Sequence, residues 1–435
     1  MRLPLLLAVV SLTAFAQEAP VSLTASDGTG LKLVKLQARG VVLDPLAFTE
    51  LQLTFENPEG RVIEGQFKVT LPQGATISRF AMKLDGRWQE GEVAERELAE
   101  RQAARRAYED FLHRRQDPAL LEQNGGNEFT AKVFPIPARG VKELVISYSH
   151  DLVAADAAYV LPLKGLPEVG ELDVNVTGVN GASSLSKKRF VPNADFVGQP
   201  LRPGVGVRSG DLIAARLVPV TDTAPDTMPS LTVLVDSSGS RALGWRDEVT
   251  LVQQLVAALA KSNAALPLQV VAYDQEVAPI YSGAASGFGD AHVKQLRARS
   301  ALGASNLEAA LQYVATKPSA RVVLITDGVL TAGATGGNQL TAQLLKLKAS
   351  VKRMDAIAVG GIRDDVALAR VVQGSLERDG AVLDGALPVP ELARRLTLTT
   401  KSKLDVKVEG ATAVWPTSLS GVQAGDAVLV YAHLP

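Results

Sequence analysis

"VLVDSSGS" (residues 233–240) runs from three apolar residues into one carboxylate and three hydroxyls within five positions: Asp236, Ser237, Ser238 and Ser240, with Gly239 between. Asp and Ser are ordinary residues for a turn or a helix N-cap. The same side chains gathered where a buried strand ends are also hard oxygen ligands for a divalent cation. The surrounding chain decides between the two.

Residues 230–400 alternate apolar runs with amphipathic segments. "SLTVLVD", "LQVVAYD", "ARVVLITDG" and "RMDAIAVG" read as strands. "WRDEVTLVQQLVAALAKS", "DAHVKQLRARSA", "NLEAALQYVAT", "LTAQLLKLKAS", "DVALARVVQGSL" and "ELARRLT" read as helices. Apolar runs without alternation, separated by helices, predict a parallel sheet buried on both faces, an α/β doubly wound, Rossmann-like domain over 223–400. Ligands of such sheets collect at the carboxyl ends of the strands. Asp236 and Asp327 both sit there.

Three segments converge on that edge: "DSSGS" after the first strand, "GASNLEAAL" opening a helix, and "TDG" after "VVLI". They offer Asp236, Ser238, Ser240, Ser305 and Asp327, all oxygen donors without His or Cys, which favours Mg²⁺, Mn²⁺ or Ca²⁺ over Zn²⁺. Each piece alone is ordinary. Asp-x-Ser-x-Ser occurs in turns, "TDG" is a common strand exit, and Ser305 with Glu308 forms a capping-box pattern. All three in this order, in an alternating βα chain, are not. The set resembles the metal-ion-dependent adhesion site of von Willebrand factor type A domains. Asp236, Ser238 and Ser240 match its first element and Asp327 its last, while Ser305 stands where the family usually has Thr. Two Asp and three Ser leave a six-coordinate ion an open position. The resemblance implies that a carboxylate of a protein partner fills it, giving an exported, non-enzymatic adhesion or assembly protein that grips an acidic side chain.

The competing class is a metal-assisted hydrolase. Serine hydrolysis needs a base beside the nucleophile. The histidines are His113, His150, His292 and His433, none at a predicted carboxyl strand end here, and Gly-x-Ser-x-Gly is absent. No general base is identified. Acids and bases are interspersed around a net charge of −1, which gives no basis for a nucleic-acid partner.

Upstream, residues 20 to about 225 read as β-rich, with alternating "TELQLTF", "EGQFKVTL", "ATISRFAMKL", "EFTAKVF" and "KELVISY" separated by turn chemistry. Helical spacing interrupts them over 92–115, and "DPALLE" predicts a further helical turn with Asp117 at the N-cap. "RRAYEDFLHRRQDPALLEQNGGNEFTAKVFPIPA" followed by "KELVISYSHDL" resembles the VIT domain of vault protein and the inter-alpha-trypsin inhibitor heavy chains. That implies an N-terminal β-sandwich with one crossing helix over 17–153. A β-rich linker segment is expected over 154–222, and a β segment over 401–435 expected to pair with it. Residues 1–16, with Arg2, an apolar stretch and Ala14-Phe15-Ala16, read as a signal peptide cleaved between Ala16 and Gln17, which predicts an extracytoplasmic location: secreted, periplasmic or cell-surface. No other window has the ~18 uninterrupted apolar residues of a membrane-spanning helix. Cysteine is absent, so core packing, with any bound metal, is expected to stabilise the chain in place of disulfides.

Overall fold

The computed structural model describes residues 19–94, 120–154, 157–178, 181–198, 206–222 and 224–435. The signal segment with Ala16 and Gln17 lies outside them, as does most of the helix expected over 92–115. Its first residues, Glu92–Ala94, form a strand paired in parallel with Leu120–Glu122. The helical turn expected at "DPALLE" is likewise a strand from Leu120. Leu120–Gly125 folds back on Glu128–Ile136 through the Gly126-Asn127 turn and buries Leu121, so sheet pairing prevails from Leu120 onward, while the expected N-cap Asp117 lies outside the described residues.

The described residues form a sheet-rich, multidomain molecule with six α-helices. In the first body a five-stranded and a seven-stranded sheet enclose one core. Strands such as Ile63–Thr70 alternate buried and outward residues, as a half-buried sheet requires. Phe67 sits at the core's centre, edge-on to Phe55 at 6.4 Å and stacked on Phe80 at 5.8 Å. The seven-stranded sheet does not end at residue 153. Val169–Gly178 pairs in parallel with Lys32–Leu43, and Gly181–Phe190 extends the edge. The predicted linker thus contains two strands of the first body. Its last part behaves differently: Leu212–Leu217 pairs with Val428–His433 in a four-stranded sheet. Arg216 of that sheet forks onto Asp44 at 2.6 and 2.9 Å, tying it to the first body.

The second body carries the strands and helices labelled hereafter: β1 (Leu231–Asp236), α1 (Trp245–Ser262), β2 (Pro267–Tyr273), β3 (Val277–Ala284), α2 (Asp290–Ala298), α3 (Leu307–Thr316), β4 (Arg321–Thr326), α4 (Gly337–Leu347), β5 (Arg353–Ala358), α5 (Asp365–Val372), β6 (Val382–Asp384) and α6 (Val389–Leu396). The sheet order is β3-β2-β1-β4-β5-β6, parallel throughout except for β3. All six residues of β1, of β4 and of β5 are buried, with separate hydrophobic clusters on the two faces. The strand order reverses between β1 and β4, which opens a crevice at their carboxyl ends. At the amino ends, Asp226 and Asp355 meet the fully buried Arg321 and Arg353, with Arg378 closing on Asp226. The chain enters and leaves this body side by side, the Thr399 N–H donating to Ala224 O at 2.9 Å.

Candidate metal site at the carboxyl edge

The first ligand loop follows from β1 ending at Asp236. The Ser238 N–H donates to Asp236 Oδ1 at 2.9 Å, curling the backbone over the carboxylate. Asp236 Oδ2 accepts from Ser305 Oγ at 2.8 Å and Thr326 Oγ1 at 2.6 Å, with the Tyr273 hydroxyl at 3.4 Å. The Ser238 and Ser240 hydroxyls are 3.1 Å apart. Asp236, Ser238, Ser305 and Asp327 are buried, and Ser240 alone is exposed. The skipped residue Ser237 turns away, donating to Tyr273 O and accepting from Arg299 Nε. Ser237 thus has partners apart from the paired Ser238 and Ser240 hydroxyls.

Ser305 is not a capping residue. Asn306 caps α3 by accepting from the Ala309 N–H at 3.2 Å, and Glu308 bonds Gln343 and the Ala334 N–H. The capping-box pattern is an accident of spacing, and the Ser305 hydroxyl is free to face Asp236.

Asp327 follows β4. Its Oδ1 accepts from the Val329 N–H at 2.9 Å. Its Oδ2 has no aligned hydrogen bond among the described residues, although Arg241 Nη2 stands 2.8 Å away. Burial raises the Asp327 pKa, while the Arg241 charge and the Ser240 hydroxyl act against that rise. Burial also pushes the Glu248 carboxyl, in the first turn of α1, well above the carboxylate range, with Asp236 and Asp327 adding to the shift. Glu248 Oε1 is buried without a hydrogen bond. Tyr273 is likewise held neutral by burial, then by the Asp236 charge.

Arg241, Thr326, Tyr273 and Glu248 are the neighbours that motif reading misses. Thr326 and Arg241 directly flank the recognised residues, so adjacency was the available signal. Arg241 is buried and donates to Val359 O at 2.8 Å and Ser240 O at 3.1 Å. It lies against Gly360 (φ +94°), where a Cβ would come within 2.5 Å of its Nη1.

The first body reaches this edge. The Asn127 side chain donates to Gly361 O and accepts from the Arg363 N–H, each at 3.1 Å. At Gly126 (φ +56°) a Cβ would stand 2.3 Å from Arg363 O, so only glycine fits. Between the bodies lies a cleft of about 1090 Å³, with Lys68, Asn124 and Glu128 on one wall and Ser240, Arg241 and Asp327 on the other. No histidine among the described residues lines it. The oxygen-only donors and the unaligned Asp327 Oδ2 fit a hard divalent ion.

Residues 33–148 match the family model for the vault protein inter-alpha-trypsin domain, so the chain contains a VIT domain. A search among curated proteins found no match. Solved structures similar to this chain are type A domain proteins. One is a von Willebrand factor type A protein from Catenulispora acidiphila, 16% identical, covering 52% of this chain and 61% of that one, TM-score 0.33. Another is the manganese-loaded TRAP protein of Plasmodium vivax, 19% identical, covering 37% and 67%, TM-score 0.28. A third is an aerotolerance-related membrane protein from Bacteroides fragilis, 12% identical, covering 38% and 94%, TM-score 0.30.

Proposed function

We propose that this chain is an exported, non-enzymatic adhesion or assembly protein that recognises an acidic side chain of a partner protein through a divalent ion. Asp236, Ser238, Ser240, Ser305 and Asp327 would hold the ion, Mg²⁺ or a similar hard cation such as Mn²⁺ or Ca²⁺. The observation that carries the reading is the Asp327 carboxylate: buried, with one oxygen lacking any aligned hydrogen bond, on the same crevice as Asp236 and three hydroxyls. Buried carboxylates are ordinarily satisfied. The bound ion would supply an electrophilic position for a carboxylate oxygen. The chain's own groups orient the ligand oxygens, exclude bulk water and limit the approach to the cleft. Export is supported by the basic, apolar and small-residue order of residues 1–16.

The test uses a short peptide carrying one Glu, and its Gln counterpart, mixed with the Mn²⁺-loaded chain. Paramagnetic broadening of the Glu side-chain protons, absent for the Gln peptide and for Asp236→Ala, is the expected result. Equal broadening of both peptides, or broadening that persists in Asp236→Ala, overturns the reading.

A further inference from the structure

Arg241 follows the last hydroxyl of the motif, and its guanidinium is in the site rather than in solvent. Its side chain is 6% exposed, with Nη2 at 2.8 Å from Asp327 Oδ2. That contact is an ion pair without hydrogen-bond alignment: Asp327 Oδ2 has no aligned donor, while Nη2 donates to Ser240 O and Nη1 to Val359 O. The head group is therefore anchored by two backbone carbonyls and offers Asp327 charge alone. Gly360 leaves the room for this placement, since a side chain there would collide with the guanidinium.

Two buried carboxylates with no counter-charge would strain a metal-free protein. One guanidinium supplies half of what a divalent ion would bring. We infer that Arg241 is a tethered cation that neutralises Asp327 in the metal-free protein and gives up that carboxylate when the divalent ion binds, so that it sets the affinity of the site. The inference rests on the metal reading above and names a residue outside the predicted ligand set. Arg241 keeps its Val359 and Ser240 carbonyl contacts throughout, so the exchange costs the unaligned contact only. A ligand site with a built-in competitor is folded without metal and responds to metal over a higher concentration range.

The test is Mn²⁺ calorimetry on the full chain, comparing wild type, Arg241→Met and Arg241→Lys. Removing a unit charge a few ångströms from a dication should tighten Mn²⁺ binding by roughly tenfold or more, since Coulomb energies at such distances reach kcal/mol even when screened. Arg241→Lys keeps the charge and should stay near wild type. The gain in melting temperature on passing from EDTA to Mn²⁺ should be larger in Arg241→Met. If wild type binds and Arg241→Met binds equally or more weakly, the inference is wrong and the metal reading stands. A silent wild type with a binding Arg241→Met supports the tethered cation and ends the metal-dependent function. Silence in both ends both. Should Arg241→Met not fold, ¹⁵N-arginine spectra of the wild type decide. The Nε signal missing from Arg241→Lys must move as Mg²⁺ saturates, and an unmoved signal overturns the inference.

Discussion

The two ends of the second body's sheet each hold two buried carboxylates, yet they are finished differently. At the amino ends, Asp226 and Asp355 meet three guanidiniums, and hydrogen bonds run to both carboxylates and to the Leu396 and Leu398 carbonyls. At the carboxyl ends, Asp236 and Asp327 have one guanidinium between them, and one Asp327 oxygen has no aligned donor. The fold is the same parallel sheet at both ends, so the scaffold does not explain the contrast. A closed cluster locks the chain's entry and exit together, and an open one leaves capacity for a ligand. Of these four aspartates Asp327 alone has an oxygen without an aligned donor among the described residues, and that is what singles out the carboxyl end as the candidate site.

The largest effect belongs to the closed end. Asp355→Ala leaves the fully buried Arg321 and Arg353 to share Asp226 alone, and removing one partner of a buried ion cluster in this way costs about 3–5 kcal/mol. Denaturant unfolding followed by the helical circular-dichroism signal should show that loss equally in Mg²⁺ and in EDTA. A metal-dependent loss would mean that the two ends are coupled and the contrast is false.

Next comes the hairpin that covers the open end. Asn127→Ala strips partners from the Leu71 and Gly361 carbonyls and from the Arg363 N–H, of which only the first bond is fully buried, for a loss of about 1–3 kcal/mol in all. Hydrogen exchange should rise at residues 359–363 and stay unchanged at the closed cluster. Unchanged exchange at 359–363 would show that the docking does not depend on this side chain.

A pH experiment probes the open end without metal. Burial raises the Glu248 pKa in the folded state, so the folded chain holds a proton that the unfolded chain gives up in the ordinary carboxylate range. That contribution is present in full below the ordinary range and is lost as pH rises through the raised folded value. Glu248→Gln should therefore flatten the decline in melting temperature above about pH 4 in EDTA. A steeper decline in the variant would reverse the sign and refute a neutral Glu248.

The smallest effect is expected of Ser305→Thr, which keeps the hydroxyl and restricts its rotamers. Its stability should change by no more than about 0.5 kcal/mol. Mn²⁺ affinity should hold or improve, and a large loss of affinity would exclude the Ser305 hydroxyl from the site.

The five proposed ligands were legible because each stands where a local pattern stops: a strand end at Asp236, a helix start beside Ser305, a strand exit at Asp327. Buried parallel strands made the sheet readable for the same reason, through unbroken apolar runs. What stayed hidden depends on partners far along the chain. Arg241 is defined by Val359 and Gly360, more than a hundred residues later. Leu120–Gly125 became a strand because Glu128–Ile136 offered a ladder, although Asp117 and Pro118 favour a helix start. Val169–Gly178 found its parallel partner in Lys32–Leu43, which placed that part of the expected linker in the first body's sheet. The capping box at Ser305 failed because Asn306, one residue on, is the better-placed acceptor.

The most direct measurement is the unfolding free energy of wild type and Asp236→Ala, each in EDTA and in Mg²⁺ at a hundredfold excess over the dissociation constant. A ligand that binds only the folded state should stabilise the wild type by about 2.7 kcal/mol, and the variant by nothing. Equal stability of the wild type with and without Mg²⁺, or the same increment in Asp236→Ala, would contradict an ion site at this edge of the sheet.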